Sequence, residues 1–188
     1  MLSDIKKIIS DHRKALDVLE EKSDQLQKIA LICQNALESG KKIIFFGNGG
    51  SAADSQHLAA EFVGRFQKNR KPLPSIALSV NTSILTAVGN DFGFEKIFSR
   101  QIECLGNPGD IAFGISTSGN SANVLQGFEA GKKNDLHTIA FLGKDGGKIA
   151  NSVDTSLIIS IDQTPRIQEI HILAGHIICE LIEKPFKD

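Results

Sequence analysis

Neither sign of charge dominates this chain: 21 Lys and Arg stand against 22 Asp and Glu, a formal net charge of -1. No net field therefore draws it to nucleic acid or to a membrane surface. No apolar run approaches the ~20 residues that a membrane span needs. The most apolar helical stretch, Ile167 to Ile182, carries His171, His176 and Glu180 inside it. Charges interrupt every apolar stretch of the opening M-L-S-D-I-K-K-I-I-S-D-H, so it has no signal-peptide core. Cysteine is scarce and odd in number: Cys33, Cys104 and Cys179, with no C-x-x-C spacing. Reduced thiols in a reducing compartment, and hence a cytoplasmic protein, are the expectation. No repeat, low-complexity tract or linker divides the 188 residues. One domain is expected, an N-terminal helical arm over 1–39 followed by an α/β core over 40–188. Only Lys68 to Pro74, K-N-R-K-P-L-P, reads as a flexible polar loop, too short to separate domains.

What is present is a regular alternation. Residues 2–39 hold two helical patterns, with Ile5, Ile8, Ile9 and His12 on one face and Leu26, Ile29, Ala30 and Cys33 on another. Gly40 is placed to close the second helix. Strands are predicted at Lys42–Phe46, Ser75–Ser79, Ile111–Ser116, Thr138–Leu142 and Thr155–Ile161. Helices are predicted at about Ser51–Phe66, Thr82–Val88, Glu95–Leu105, Ser121–Asn134, Gly147–Asn151 and Pro165–Glu183. The strands are apolar throughout, which indicates a five-stranded parallel sheet covered on both faces. Right-handed crossovers make this a doubly wound three-layer α/β/α sandwich, with ligands beyond the carboxyl ends of the strands. The turns G-N-G-G-S, S-T-S-G-N-S and G-K-D-G-G all fall at strand C-termini, along one sheet edge.

Three segments carry chemistry. After the apolar run Ile43–Phe46 come Gly47, Gly49 and Gly50, with Ser51 placed to cap a helix. On that helix His57 and Glu61 share a face one turn apart, a spacing that can hold a metal ion or share a proton. The same spacing also describes an ordinary helix-face pair worth a few tenths of a kcal/mol. In I-S-T-S-G-N-S-A-N-V, the hydroxyls of Ser116, Thr117, Ser118 and Ser121 surround Gly119 at a helix N-terminus. Hydroxyl and backbone donors at the positive end of a helix dipole suit a phosphate monoester. A plain turn with an N-cap would use one or two hydroxyls, not four. No Lys lies in that loop, and the nucleotide P-loop pattern is absent. Asn90 and Asp91, flanked by Phe92 and Phe94, form either a turn or polar groups presented from an apolar wall. The last helix opens with Thr164 as N-cap and Pro165 at its first position. On its wheel, Gln168 lies about 60° from His171 and about 80° from His176, while the two histidines are about 140° apart. That geometry pairs Gln168 with His171 and leaves open which histidine reacts.

Taken together, G-N-G-G-S-A-A-D-S-Q-H-L-A-A-E-F-V-G-R-F, T-A-V-G-N-D-F-G, I-S-T-S-G-N-S and T-P-R-I-Q-E-I-H-I-L-A-G-H resemble the phosphoheptose isomerases of the sugar-isomerase (SIS) domain family, over essentially the whole chain. The resemblance implies a cytoplasmic homotetramer. The implied reaction interconverts sedoheptulose 7-phosphate and D-glycero-D-manno-heptose 7-phosphate through an enediol. It is the first step toward ADP- or GDP-heptose for lipopolysaccharide core or other surface glycans. Carried over by position, phosphate falls on Ser116, Thr117, Ser118 and Ser121. The sugar falls on Asn48, Gly49, Gly50, Ser51, Asn90, Asp91, Glu61 and Gln168. One zinc ion per subunit falls on His57, Glu61, Gln168 and His176, and proton transfer on Glu61 and His176. Here the resemblance selects His176 over the His171 preferred by the wheel. The alternative is a non-catalytic SIS protein that binds a replication-initiation factor, a group in which the positions of Glu61 and His176 are expected to carry non-catalytic residues. This chain keeps both.

Overall fold

The computed structural model describes residues 1–186. Two helices come first, α1 (Leu2–Glu20) and α2 (Ser23–Glu38). The remainder alternates β1 (Ile43–Gly47), α3 (Gly50–Val63), β2 (Ser75–Ala77), α4 (Thr82–Phe92), a 3-10 turn (Phe94–Lys96), α5 (Ser99–Leu105), β3 (Ile111–Ser116), α6 (Ala122–Lys133), β4 (His137–Gly143), α7 (Gly147–Ala150), β5 (Thr155–Ile159) and α8 (Thr164–Glu183). The five strands pair in parallel in the order β2-β1-β3-β4-β5. The expected sandwich is the observed one.

Alternate strand residues feed the two sheet faces, as the pleat requires. Phe45, Phe113, Ile115, Phe141 and Leu157 pack under α1, α2, α3 and α8. Ile44, Phe46, Ala112, Ala140 and Leu142 pack under α5, α6 and α7. Both faces are therefore dry, which is why no strand alternates in polarity. The order reverses at β1: the chain leaves it for β2 on one side, and β3 later pairs on the other. The carboxyl ends of β1 and β3, Gly47 and Ser116, thus open onto the switch point where such sheets bind ligands.

Four local readings change. The N-cap of α3 is Gly49, with φ +55, and Ser51 lies inside the helix, only 3% exposed. The N-cap of α8 is Gln163; Thr164 is already helical and makes no capping bond. In the predicted helix Glu95–Leu105 a 3-10 turn precedes α5. The segment Lys68 to Pro74 is not a solvated loop, because Arg70 and Leu73 are buried. In α1 only Ala15 and Leu19 are buried, whereas Ile5, Ile8 and Ile9 are each about half exposed, at 48%, 49% and 48%. The helix is tied to α8 by His12 Nδ1, 2.6 Å from Glu169 Oε2.

Candidate active site

The glycine turn after β1 lets α3 begin against α8. A Cβ on Gly50 would lie 2.4 Å from Gln168 Nε2, so only glycine leaves room for that amide over the N-terminus of α3. About two and three turns further along α3, His57 and Glu61 face the middle of α8. His57 Nε2 lies 3.1 Å from Glu61 Oε1 and 3.2 Å from His176 Nε2. The ring of His176 is in turn covered by Phe66, with centroids 5.4 Å apart. Burial, together with the neighbouring His57, holds the His176 imidazolium pKa below its ordinary value, against the opposing pull of Glu61. His176 is therefore neutral near pH 7 and available as a base or a ligand.

His171 goes elsewhere. It is fully buried, its Nε2 lies 3.1 Å from the carbonyl of Leu142, and its ring packs on Phe141. Burial lowers its pKa to about 4, which leaves a neutral core histidine whose Nε2–H donates to β4. The two histidines point apart, as the wheel expects: His171 into the core against β4 and His176 toward α3. The inward face of α8 is Ile167, Ile170, His171, Ala174 and Ile178, and Gln168 sits at its margin beside α3.

The second part of the site is the loop from β3 to α6. Ser116 Oγ and Ser121 Oγ stand 3.1 Å apart, and Ser121, the N-cap residue of α6, makes no side-chain capping bond. Thr117 and Ser118 beside it are half-buried, and Ser118 Oγ accepts from Asn120 N at 3.2 Å, so hydroxyls and backbone N–H groups cluster at a helix N-terminus, an arrangement that suits an anion. Gly119 turns the loop at φ +63, and a Cβ there would come within 2.1 Å of the Gly146 carbonyl oxygen. Asn120 ties the loop down: its Nδ2 donates to the Ser118 carbonyl at 2.8 Å, and its Oδ1 accepts from Lys148 N at 3.1 Å. The G-K-D-G-G turn after β4 is thus a brace for this loop.

Asn48 joins the two parts. Its amide exchanges two 2.8 Å hydrogen bonds with the amide of Asn123 in the first turn of α6. Asn123 also accepts from Val124 N, which fixes its oxygen. Gly49 and Gly50 are exposed at this edge, while Ser51 is buried against Gly47. Asn90 and Asp91 end α4, exposed, with the Asn90 amide donating to the Asp91 carboxylate at 2.8 Å. No residue of α4 is buried.

Sequence reasoning passed over two residues here. Asn123 follows Ser121 by two positions, a signal hidden among the hydroxyls. Asp54 precedes His57 by one turn on the same face of α3, and its Oδ2 is buried with no hydrogen-bond partner among the described residues. Burial raises its pKa to about 6, opposed by His57.

A SIS domain matches residues 9–143. The phosphoheptose isomerase of a Nitratiruptor species is 53% identical over 187 residues, covering 99% of this chain and 100% of the relative. That of Aquifex aeolicus is 51% identical, covering 98% and 97%. Among solved structures, the phosphoheptose isomerase of Neisseria gonorrhoeae superposes with a TM-score of 0.92 at 40% identity, covering 97% of this chain and 99% of the other. That of Francisella tularensis gives 0.92 at 32%, covering 98% of each.

Proposed function

The chain belongs to the phosphoheptose isomerases of the SIS domain family, and from that premise we propose how its own residues carry out the reaction. It is an aldose–ketose isomerase, converting sedoheptulose 7-phosphate to D-glycero-D-manno-heptose 7-phosphate. The carrying observation is the contact chain Glu61–His57–His176 between α3 and α8, together with a hydroxyl-rich loop at the N-terminus of α6.

The loop from Ser116 to Ser121 binds the phosphate of the open-chain sugar through hydroxyls and backbone N–H groups. Asn48, Gly49, Gly50, Ser51 and Gln168 receive the sugar hydroxyls, with Asn90 and Asp91 closing over it. One member of the Glu61–His176 pair takes a proton from C1 of the ketose as the C1–C2 double bond of the enediol forms. The other protonates O2. The O1 hydroxyl then gives up its proton as the carbonyl forms at C1, and C2 is reprotonated to yield the aldose. Both groups lie in one contact chain through His57, so acid and base stand at one point.

His57, Glu61, Gln168 and His176 would hold a zinc ion. Donors 2.0–2.1 Å from a tetrahedral zinc are roughly 3.3–3.4 Å from each other, close to the 3.1 and 3.2 Å separations around His57 Nε2. That nitrogen touches both a carboxylate and an imidazole nitrogen, and one N–H cannot fully satisfy both, whereas a shared cation can. Among the described residues no three His, Cys, Asp or Glu side chains form a ready metal cage, and the Gln168 amide would be the fourth donor. When bound, the ion polarises the substrate carbonyl and steadies negative charge on the enediolate oxygens.

A homotetramer is the assembly that fits the uncovered apolar residues of α1 and α4, and a cytoplasmic location fits three free thiols. Among the described residues no helix is long and apolar enough to cross a membrane. The product feeds nucleotide-activated heptose for surface glycans. Incubation of purified protein with sedoheptulose 7-phosphate tests the reading: appearance of the aldose supports it. Complete absence of turnover with added zinc would favour the non-catalytic SIS alternative.

A further inference from the structure

Arg70 and Glu183 form a buried ion pair outside the reacting cluster. Their side chains are 2% and 1% exposed, with Arg70 Nε 3.8 Å from Glu183 Oε2. Each charge makes a second set of bonds. Arg70 Nη2 donates to the carbonyl of Glu61 at 2.8 Å, and Nη1 donates to the carbonyls of Phe62 at 2.9 Å and Lys71 at 3.1 Å. Those of Glu61 and Phe62 are among the last carbonyls of α3, which have no partner within the helix. Gly64 N caps Ala60 and Leu73 N also reaches Phe62, and the buried guanidinium adds to these backbone bonds, with its positive charge at the negative end of the helix dipole. Glu183, near the end of α8, accepts from the backbone N–H of Gln67 at 3.0 Å and of Lys68 at 3.1 Å. Those bonds hold the turn that carries Phe66, whose ring lies on His176.

One ion pair thus touches both halves of the proton-transfer site from behind. It fixes the helix end that bears Glu61 and the turn that packs on His176. A buried pair adds little net stability over apolar residues of the same volume, so geometry is the better reason for it here. We infer that Arg70 and Glu183 are a positioning pair, which sets the Glu61 carboxylate and the His176 ring in register without touching substrate. This rests on the assignment of Glu61 and His176 above.

Arg70→Lys keeps the charge opposite Glu183 and loses the two-pronged grip on Glu61 and Phe62. Its kcat for sedoheptulose 7-phosphate should fall about tenfold or more, as a small misplacement of reacting groups does. KM and inhibition by inorganic phosphate should stay within about twofold, because the phosphate loop lies on α6. The pH profile of kcat should also shift, since the surroundings of both titrating groups change. Rates are taken per folded enzyme, below the melting transition. A lower melting temperature with unchanged kcat and pH profile would mean a purely structural pair and overturn the inference. Should Arg70→Lys not fold, Phe66→Leu carries the test: it leaves the ion pair intact and removes the ring from His176, with the same expected loss in kcat at constant KM. An inactive wild-type enzyme would instead refute the isomerase reading itself.

Discussion

His57 and His176, 119 residues apart in the chain, meet through their Nε2 atoms at 3.2 Å. The contact joins the middle of α3 to the middle of α8 and places two imidazoles and the Glu61 carboxylate at one point. Two neutral imidazoles can share at most one proton along that line. A cation accepted by both gives each lone pair a partner, so the contact itself motivates the metal.

Metal analysis of the purified enzyme is expected to find about one zinc per subunit. Exhaustive chelation should remove activity, and added zinc should restore it. Affinity should weaken as pH falls below neutrality, because ligand histidines must be unprotonated. Turnover unaffected by chelation would count against the ion.

His171 should behave as a core residue. His171→Asn is expected to keep most activity while losing about 1–2 kcal/mol of stability with the bond to Leu142. The histidine binds a proton with a pKa near 6.5 when unfolded and about 4 when folded. Its contribution is therefore fully present above about pH 6.5 and is lost as pH falls toward 4, by up to about 3 kcal/mol. Chemical denaturation across this range should show a slope in the wild type that flattens in the variant.

Gly119 is the most constrained position of the loop between β3 and α6. Gly119→Ala places a Cβ at positive φ, costing about 1–2 kcal/mol on conformation alone, and drives it into the Gly146 carbonyl. The loop must move away from the G-K-D-G-G turn. Steady-state kinetics should show KM for the sugar phosphate rising at least about tenfold, with a lowered melting temperature. An unchanged KM would show that the brace does not shape the phosphate site.

The half-exposed Ile5, Ile8 and Ile9 of α1 predict a further copy against them. Sedimentation should give a tetramer at micromolar concentration, and Ile8→Glu should shift it to smaller, less active species. A fully active monomer would contradict this.

The sheet was legible because each strand is a short apolar run ended by glycine or hydroxyl turns, and both signals are local. The hydroxyl-rich loop was legible for the same reason: Ser116 to Ser121 lie within six consecutive residues between β3 and α6. Helix caps were misjudged by one or two positions at Ser51 and Thr164. Glycine flexibility at Gly49, and the extended Gln163 before Pro165, set those starts without a hydroxyl. The choice between His171 and His176 depends on which side of α8 meets the sheet, a tertiary fact that periodicity leaves open when both faces carry apolar residues. Arg70 was hidden more deeply. Its neighbours in sequence are polar, and only the fold shows that its charge lies between the end of α3 and Glu183.

The central claim is that Glu61 and His176 move the protons, and paired kinetics and calorimetry on Glu61→Gln and His176→Asn test it most directly. Both changes are nearly isosteric, so the fold and the phosphate loop should persist. Each is predicted to lower kcat by about 10² to 10⁴, while substrate binding measured by calorimetry changes far less. A His176→Asn enzyme that turns over normally, beside a dead His171→Asn, would contradict the account.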